Sequence, residues 1–531
     1  MSPAVLEAAV SAPTTPKVGF VSLGCPKNLV DSEVMMGMLH HNGAELTANA
    51  EDAEIIVINT CSFIDSAKQE SVNTILEMVK HKTGGKAQRI VVAGCLVERY
   101  RDEIQKNIPE VDAVVGTGEL EAILAAAGLS PTGHAITDSP FNILPQGLME
   151  RAPSAVHQHS HPHEEGAQIQ TASRAEGAAR EQSGRFSREA WDGASAHLPE
   201  YLYDDHTPRI LSTPRASAYI KIAEGCDHPC SFCIIPQLRG KFRSRPIASI
   251  VAEAKSLIAQ GVREITLIGQ DTTCYGEDLP ADPTTGRRPE LADLLDALAP
   301  LPGLKWLRFL YAYPNKITTR LLESIARHDT VAKYLDVPLQ HASASVLRRM
   351  KRGGTSDRFL QVIDKARKTV PGLVLRTSFI VGFPGETEQD FEELLAFVQA
   401  AQIDWLGVFS YSDEEGAEAF NAAPDLKVPK RTIESRRKRL MALQQKISAE
   451  KQSHWVGREF DLLVEGVSDE HDLLWQGRTM LHAPEIDGKV LINDFGTDSD
   501  GTPRETLVPG TFYRCQITES HHYDVVARIL E

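Results

Sequence analysis

Three short, apolar, β-branched runs recur near the start of the chain: VGFVSLGC (18–25), AEIIVINTC (53–61) and RIVVAGC (89–95). Stretches with helical spacing of apolar positions follow them, for example DSEVMMGMLHHNG and DSAKQESVNTILEMVKHK. Strand alternating with helix predicts a small parallel sheet covered by helices over 17–130, after a disordered leader at 1–16. The pattern stops at 131. The stretch HQHSHPHEEGAQIQTASRAEGAAREQSGRFSREA is rich in Ala, Ser, Glu and Gln and poor in large apolar residues. It buries too little surface to offset its ordering entropy, so 131–206 is expected to be a largely disordered insertion. Its alternating histidines at 157, 159, 161 and 163 read as part of a solvated linker.

From 207 the alternation returns with six strand candidates: SAYIKI (217–222), EITLI (264–268), KWLRFL (305–310), KYLDV (333–337), LVLRTSFI (373–380) and DWLGVFSY (404–411). Six strand–helix units fall short of the eight of a closed barrel, so 207–449 is expected to form a curved, partly open one. The stretch 427–451 reads as one helix with nine Lys+Arg against two Asp+Glu. Beyond it, EFDLLVEGV, GKVLIND, TFYRCQIT and YDVVARIL, divided by Gly, Pro and Asp, predict a small antiparallel β-barrel over 450–531. The fold class is therefore α/β with a terminal all-β barrel.

Composition narrows the function. At 531 residues the chain has room for about three domains. Hydrophobic residues at 42% and charged residues at 24% exclude a wholly disordered chain. No apolar stretch approaches the ~20 residues of a membrane span. The first seventeen residues have neither a basic start nor a sustained apolar run, so no secretory signal is read and a cytoplasmic location is expected. The net charge of −16 disfavours indiscriminate binding to nucleic acid.

The chemistry sits in the cysteines. GCDHPCSFCIIP places Cys226, Cys230 and Cys233 within eight residues, directly after a strand. Thiolates so spaced select an iron–sulfur cluster or zinc. A structural zinc ion would take a fourth nearby ligand, and His228 lies inside the loop, where it bends back poorly. Three ligands on a four-iron cube leave one iron open for chemistry. Cys25, Cys61 and Cys95 are far apart in sequence, yet each ends a predicted parallel strand. Strand ends share one edge of such a sheet, so these three are expected to hold a second cluster with its own open iron. Cys274 and Cys515 have no partner spacing and are assigned to packing.

The Cys-x3-Cys-x2-Cys loop resembles the signature of the radical S-adenosylmethionine (SAM) enzymes. That resemblance implies a [4Fe-4S] cluster whose open iron chelates SAM and, on reduction, releases a 5′-deoxyadenosyl radical. It also implies cofactor contacts from Phe232 on the adenine side, from Gly269, Gln270 and Asp271 near the amino group, and from Gly382, Phe383, Pro384, Gly385 and Glu386 near the ribose or methionine portion. The whole constellation resembles the methylthiotransferases, whose terminal barrel is a TRAM domain. VSLGCPKNLVDSE (21–33), SAYIKIAEGCDHPCSFCIIP (217–236) and DVPLQHAS (336–343) resemble the ribosomal protein methylthiotransferase family within that group.

This resemblance implies two [4Fe-4S] clusters and SAM, with one cluster carrying the sulfur and the other generating the radical. The expected product is an aspartate of small-subunit ribosomal protein twelve, methylthiolated at its β-carbon. A low-potential electron donor and a sulfur donor are implied as partners, and no membrane. No acid–base residue is demanded. The insertion departs from the family pattern without interrupting a ligand motif. Charge offers an independent check: 457–531 carries six Lys+Arg against fifteen Asp+Glu, which repels polyanionic RNA and attracts a basic protein. The alternatives are a transfer-RNA adenosine methylthiotransferase and a non-catalytic iron–sulfur scaffold.

Overall fold

The computed structural model describes residues 15–130, 141–143, 198–469, 471, 473–498 and 501–530. The histidine run and most of the expected insertion lie outside the described residues.

The first domain is a five-stranded parallel sheet. Its elements run β1 (Lys17–Ser22), α1 (Pro26–His41), β2 (Glu45–Thr47), β3 (Ile55–Thr60), α2 (Asp65–Gly84), β4 (Arg89–Gly94), α3 (Cys95–Asn107) and β5 (Ala113–Val115). The strand order is β2-β1-β3-β4-β5, which puts the three sequence-predicted strands side by side at the centre. Their near-continuous Val and Ile content suits strands buried on both faces: all six residues of β3 are buried, and five of the six of β4. The two short edge strands were not foreseen.

Six parallel strands form the second domain, all where the sequence predicts them. Trp306–Phe309, Glu264–Ile268 and Ser217–Lys221 pair in that order, as do Tyr334–Asp336, Val374–Val381 and Trp405–Ser410. A single bridge, Leu307 to Val331, joins the two halves. Ser217–Lys221 and Trp405–Ser410 remain the outer edges, as a partly open barrel requires. The core is one apolar cluster of Ile, Leu, Val and Phe from the strands and their covering helices.

The third domain is a closed five-stranded barrel in the order Glu459–Val467, Trp475–Thr479, Val490–Asp494, Val525–Ile529, Phe512–Ser520. Four pairings are antiparallel, and that between Val490–Asp494 and Val525–Ile529 is parallel. This barrel seats on the first residues of the second domain's strands. Arg478, fully buried, donates to Glu264 at 2.7 Å and to Glu465 at 2.6 Å. Tyr334 Oη donates to Asp487 at 2.7 Å, and Trp405 Nε1 to the Leu481 carbonyl at 3.2 Å. The opposite edge, where the strands end, is left for the cysteines.

Candidate active site

Cys25, Cys61 and Cys95 follow the ends of β1, β3 and β4, three adjacent strands, so the sheet itself brings them to one edge. Cys25 caps α1, whose first residue is Pro26, and α3 starts at Cys95. A mesh of side chains fixes the three turns. Asn28 Nδ2 donates to the carbonyls of Leu23 at 3.1 Å and Thr60 at 2.8 Å. Ser71 of α2 holds the Cys61 backbone from both sides, accepting from its N–H at 3.0 Å and donating to its carbonyl at 2.8 Å. Ser62 Oγ donates to the Cys95 carbonyl at 2.9 Å. Gly24 has φ +90°, and a Cβ there would stand 2.7 Å from that of Cys61, so a side chain has no room.

The loop of Cys226, Cys230 and Cys233 leaves the end of Ser217–Lys221 through Glu224 and Gly225, the latter at φ +83°. Cys226 N–H donates to the Gly240 carbonyl at 3.2 Å and Cys233 N–H to the Cys230 carbonyl at 3.1 Å. Arg352 Nη1 lies 3.5 Å from Cys230 Sγ. All three cysteines are partly buried, and all eight in the chain are free thiols.

The two trios meet. Cys95 packs in one apolar cluster with Ile234, next to Cys233, and with Leu238. Arg239 spans the junction: its guanidinium donates to Cys95 Sγ at 3.4 Å, to Asn28 Oδ1, to Asp31 at 2.5 Å and to Glu224 at 3.4 Å. Lys221 Nζ joins Asp31 and Glu224, each at 2.5 Å. Glu224 is buried, yet Lys221 and Arg239 hold its carboxyl down at about 2. Burial pushes the Cys95 and Cys226 thiols up to about 11, Cys233 up to about 12 and Cys61 higher still. These four thiols, when free, therefore stay protonated at neutral pH, and a metal binding them must displace protons.

The other sequence-predicted contacts line the same mouth. Phe232 packs beside Phe383, Val346 and Met350, which ties the cysteine loop to the 382–386 loop. Gln270 Nε2 donates to Glu224, while its Oε1 is buried without a hydrogen-bond partner. Asp271 accepts from His228 Nε2 at 2.6 Å, Thr273 N–H at 2.9 Å and Cys274 Sγ at 3.1 Å. Against burial, these bonds hold its carboxyl below the usual range. His228 thus faces Asp271, its ring stacked on Tyr313 at 4.1 Å. Glu386 turns into its own loop, accepting from the Gly382 and Phe383 N–H groups and from Arg436 at 3.0 Å. Gly269 lies beside Ala223, and Gly382 and Gly385 take left-handed φ at the loop's turns. Pro384 lies between them.

Residues that the sequence did not flag complete the mouth. Lys27 Nζ sits 3.0 Å from the centre of the Tyr311 ring, and Tyr311 has φ +65°. Burial lowers the Lys27 ammonium to about 8. The pattern had started α1 at residue 31. Pro26, a residue suited to the first helical position, is the signal that would have set Lys27 on that helix, beside Cys25.

Three family models match successive parts of the chain: the Uncharacterized protein family UPF0004 over 17–116, the Radical SAM superfamily over 220–398 and the TRAM domain over 456–530. Fold and matches together define a radical SAM enzyme with a TRAM barrel, a class that implies a [4Fe-4S] cluster and SAM. The chain is 64% identical over 515 residues to ribosomal protein uS12 methylthiotransferase RimO of Koribacter versatilis (strain Ellin345), covering 97% of this chain and 96% of that protein. Its identity to the protein of the same name from Solibacter usitatus (strain Ellin6076) is 51% over 517 residues, covering 97% and 95%. For Myxococcus xanthus (strain DK1622) it is 43% over 522 residues, covering 98% and 93%. The chain belongs to the RimO family of methylthiotransferases.

The donor set fits the implied cluster. A tetrahedral zinc ion with bonds of about 2.3 Å would draw its sulfurs to within about 4 Å. Among the described residues, the one group of His, Cys, Asp or Glu ligand atoms all within 4.8 Å of one another is His228, Asp271 and Cys274. That group is a hydrogen-bonded set rather than a thiol trio. In neither cysteine trio do all three sulfurs lie within 4.8 Å of one another, which is wider than one zinc ion would hold them.

Proposed function

We propose that this chain adds a methylthio group to the β-carbon of an aspartate in ribosomal protein uS12. Cys226, Cys230 and Cys233 would hold one [4Fe-4S] cluster, and Cys25, Cys61 and Cys95 a second. The observation that carries this reading is the meeting of two three-thiol loops at one mouth, joined by Arg239 and by the packing of Cys95 on Ile234. When bound, the groups supply one-electron cleavage of SAM to a 5′-deoxyadenosyl radical at one loop and a transferable sulfur at the other.

The chain's own residues position and shield. Gln270 Oε1 offers an acceptor to the amino group of SAM, and Phe232 with Phe383 builds an apolar wall. Lys221, Arg239, Asp31 and Glu224 pair their charges within the interface, so none is left unpaired there. The closeness of the loops lets one bound side chain meet both reagents, the condition for an intramolecular transfer. The partners are uS12, a low-potential electron donor and a sulfur donor. The place of action is the cytoplasm, and no helix among the described residues is long and apolar enough to cross a membrane.

Mass spectrometry of uS12 from cells with and without this gene tests the assignment. The expected result is one SCH2 unit missing from uS12 in the deletion strain and restored by complementation. Loss of methylthioadenosine from transfer RNA with uS12 unchanged would reverse the choice of substrate. The acidic third domain, unsuited to phosphate contacts, favours the protein.

A further inference from the structure

Lys27 is a buried cation with no carboxylate in contact; Cys25, Asp336 and Glu224 act on it only through longer-range attraction. It is 8% exposed, on the first turn of α1 and two residues from Cys25. Among the described residues its Nζ has no hydrogen-bond or carboxylate partner; its neighbour is the face of Tyr311 at 3.0 Å.

Three carboxylates of this region, Asp336, Glu224 and Asp31, are engaged elsewhere. Asp336 accepts from Arg376 at 2.9 Å and from the Tyr311 N–H at 2.8 Å. Glu224 is taken by Lys221, Arg239 and Gln270, and Asp31 by Lys221 and Arg239. Tyr311 is held under the ammonium in a left-handed conformation that is costly for a tyrosine, fixed by Asp336 and by Thr272 N–H on its carbonyl at 3.1 Å. A buried charge persists when an opposite charge arrives to pair with it. Tyr311, under the ammonium, is tied through its carbonyl to Thr272, which follows the 269–271 loop, so Lys27 stands at the strand ends between that loop and the Cys25 turn.

We propose that Lys27 receives the side-chain carboxylate of the substrate aspartate and is the residue that makes the enzyme specific for an acidic side chain. The inference rests on the aspartate reading given above. The carboxylate carbon is bonded directly to the β-carbon, so gripping the carboxylate also fixes the reacting C–H at the mouth. An asparagine keeps the shape and loses the charge, and a purine base offers no carboxylate.

The test uses reconstituted holoenzyme and two synthetic peptides copying the substrate loop of uS12, one with Asp and one with Asn at the target position. Direct binding is read by fluorescence anisotropy, and iron and sulfide are assayed on the same samples. Wild-type protein is expected to favour the Asp peptide. Lys27→Met should weaken that peptide roughly 10- to 100-fold, leave the Asn peptide unchanged and keep wild-type iron content. Lys27→Arg, which retains the charge, should recover most of the preference. An unchanged Asp-to-Asn ratio in Lys27→Met overturns the proposal. So does a defect confined to iron loss, which would make Lys27 a counter-ion of the cluster. Methylthiolation of the Asp peptide by wild-type enzyme, run alongside, reports separately on the aspartate reading.

Discussion

At the scale of single residues, small size matters as much as sulfur. Gly24 occupies the turn between β1 and Cys25 at φ +90°, with the Cys61 side chain where a Cβ would go. Gly24→Ala is expected to spread the Cys25 and Cys61 turns, lowering iron from about eight to about four per reconstituted chain while the Cys226 loop stays loaded. Iron analysis and the absorbance of each preparation check this, and full loading of the variant would refute it. The gathering of the six cysteines into two sets was legible because strand ends and a compact motif are local signals. Arg239 was not, since its partner Cys95 lies 144 residues away and nothing in either neighbourhood announces the other. Lys27 was hidden for the same reason: its unpaired state is a property of what surrounds it. Cys274 and Cys515, assigned to packing from sequence, are both buried, and Cys274 also donates to Asp271.

At the scale of elements, periodicity located the central strands of the first domain and all six of the second, and missed the two edge strands β2 and β5 and one strand of the barrel. β2 and β5 have three residues each and are only partly buried, whereas Tyr334–Asp336, equally short, is buried throughout. Trp475–Thr479 went unread because Gly477 interrupts its alternation. That glycine is required where the strand crosses Leu463, whose carbonyl oxygen would lie 2.5 Å from an added Cβ. The helix Glu388–Ala401, which follows the 382–386 loop, begins with a reciprocal cap between Thr387 and Asp390. Asp390 also accepts from Ser343 at 2.5 Å, coupling this cap to the loop after Tyr334–Asp336. Thr387→Ala should cost about 1 kcal/mol, read as a lower urea midpoint with unchanged slope. A variant as stable as the wild type would show the cap to be redundant.

At the scale of the whole molecule, buried ion pairs join the domains. Glu264 is fully buried between Arg478 and Arg308, which hold its carboxyl at about 2 despite the opposing effect of burial. Its folded value lies below the ordinary 4.5, so the stabilisation is complete above that pH and disappears as pH falls toward 2. The shift corresponds to about 3 kcal/mol. Acid titration followed by Trp306 and Trp405 fluorescence should show the third domain releasing within that window. Glu264→Gln should remove this acid dependence and lower stability at neutral pH by about 3–5 kcal/mol, because Arg308 loses its carboxylate partner and Arg478 keeps only Glu465. A variant with the wild-type acid profile would move the origin of the transition elsewhere. Domain order was readable from composition and pattern, whereas the docking was not, because charges that pair across domains look like ordinary surface residues in a sequence.

The junction under Arg239 has a further consequence. Glu33 with Arg209, Asp31 with Lys221 and Arg239, and Glu414 with Arg99 fasten the leading sheet to the half-barrel through charges that water hardly reaches. Prising the halves apart would strand several of these ions at once, at a cost of several kcal/mol for each one left alone. A rigid-body parting of the leading sheet from the half-barrel is therefore the costliest motion this junction could make, and the two sets of cysteine turns are held in fixed register by it.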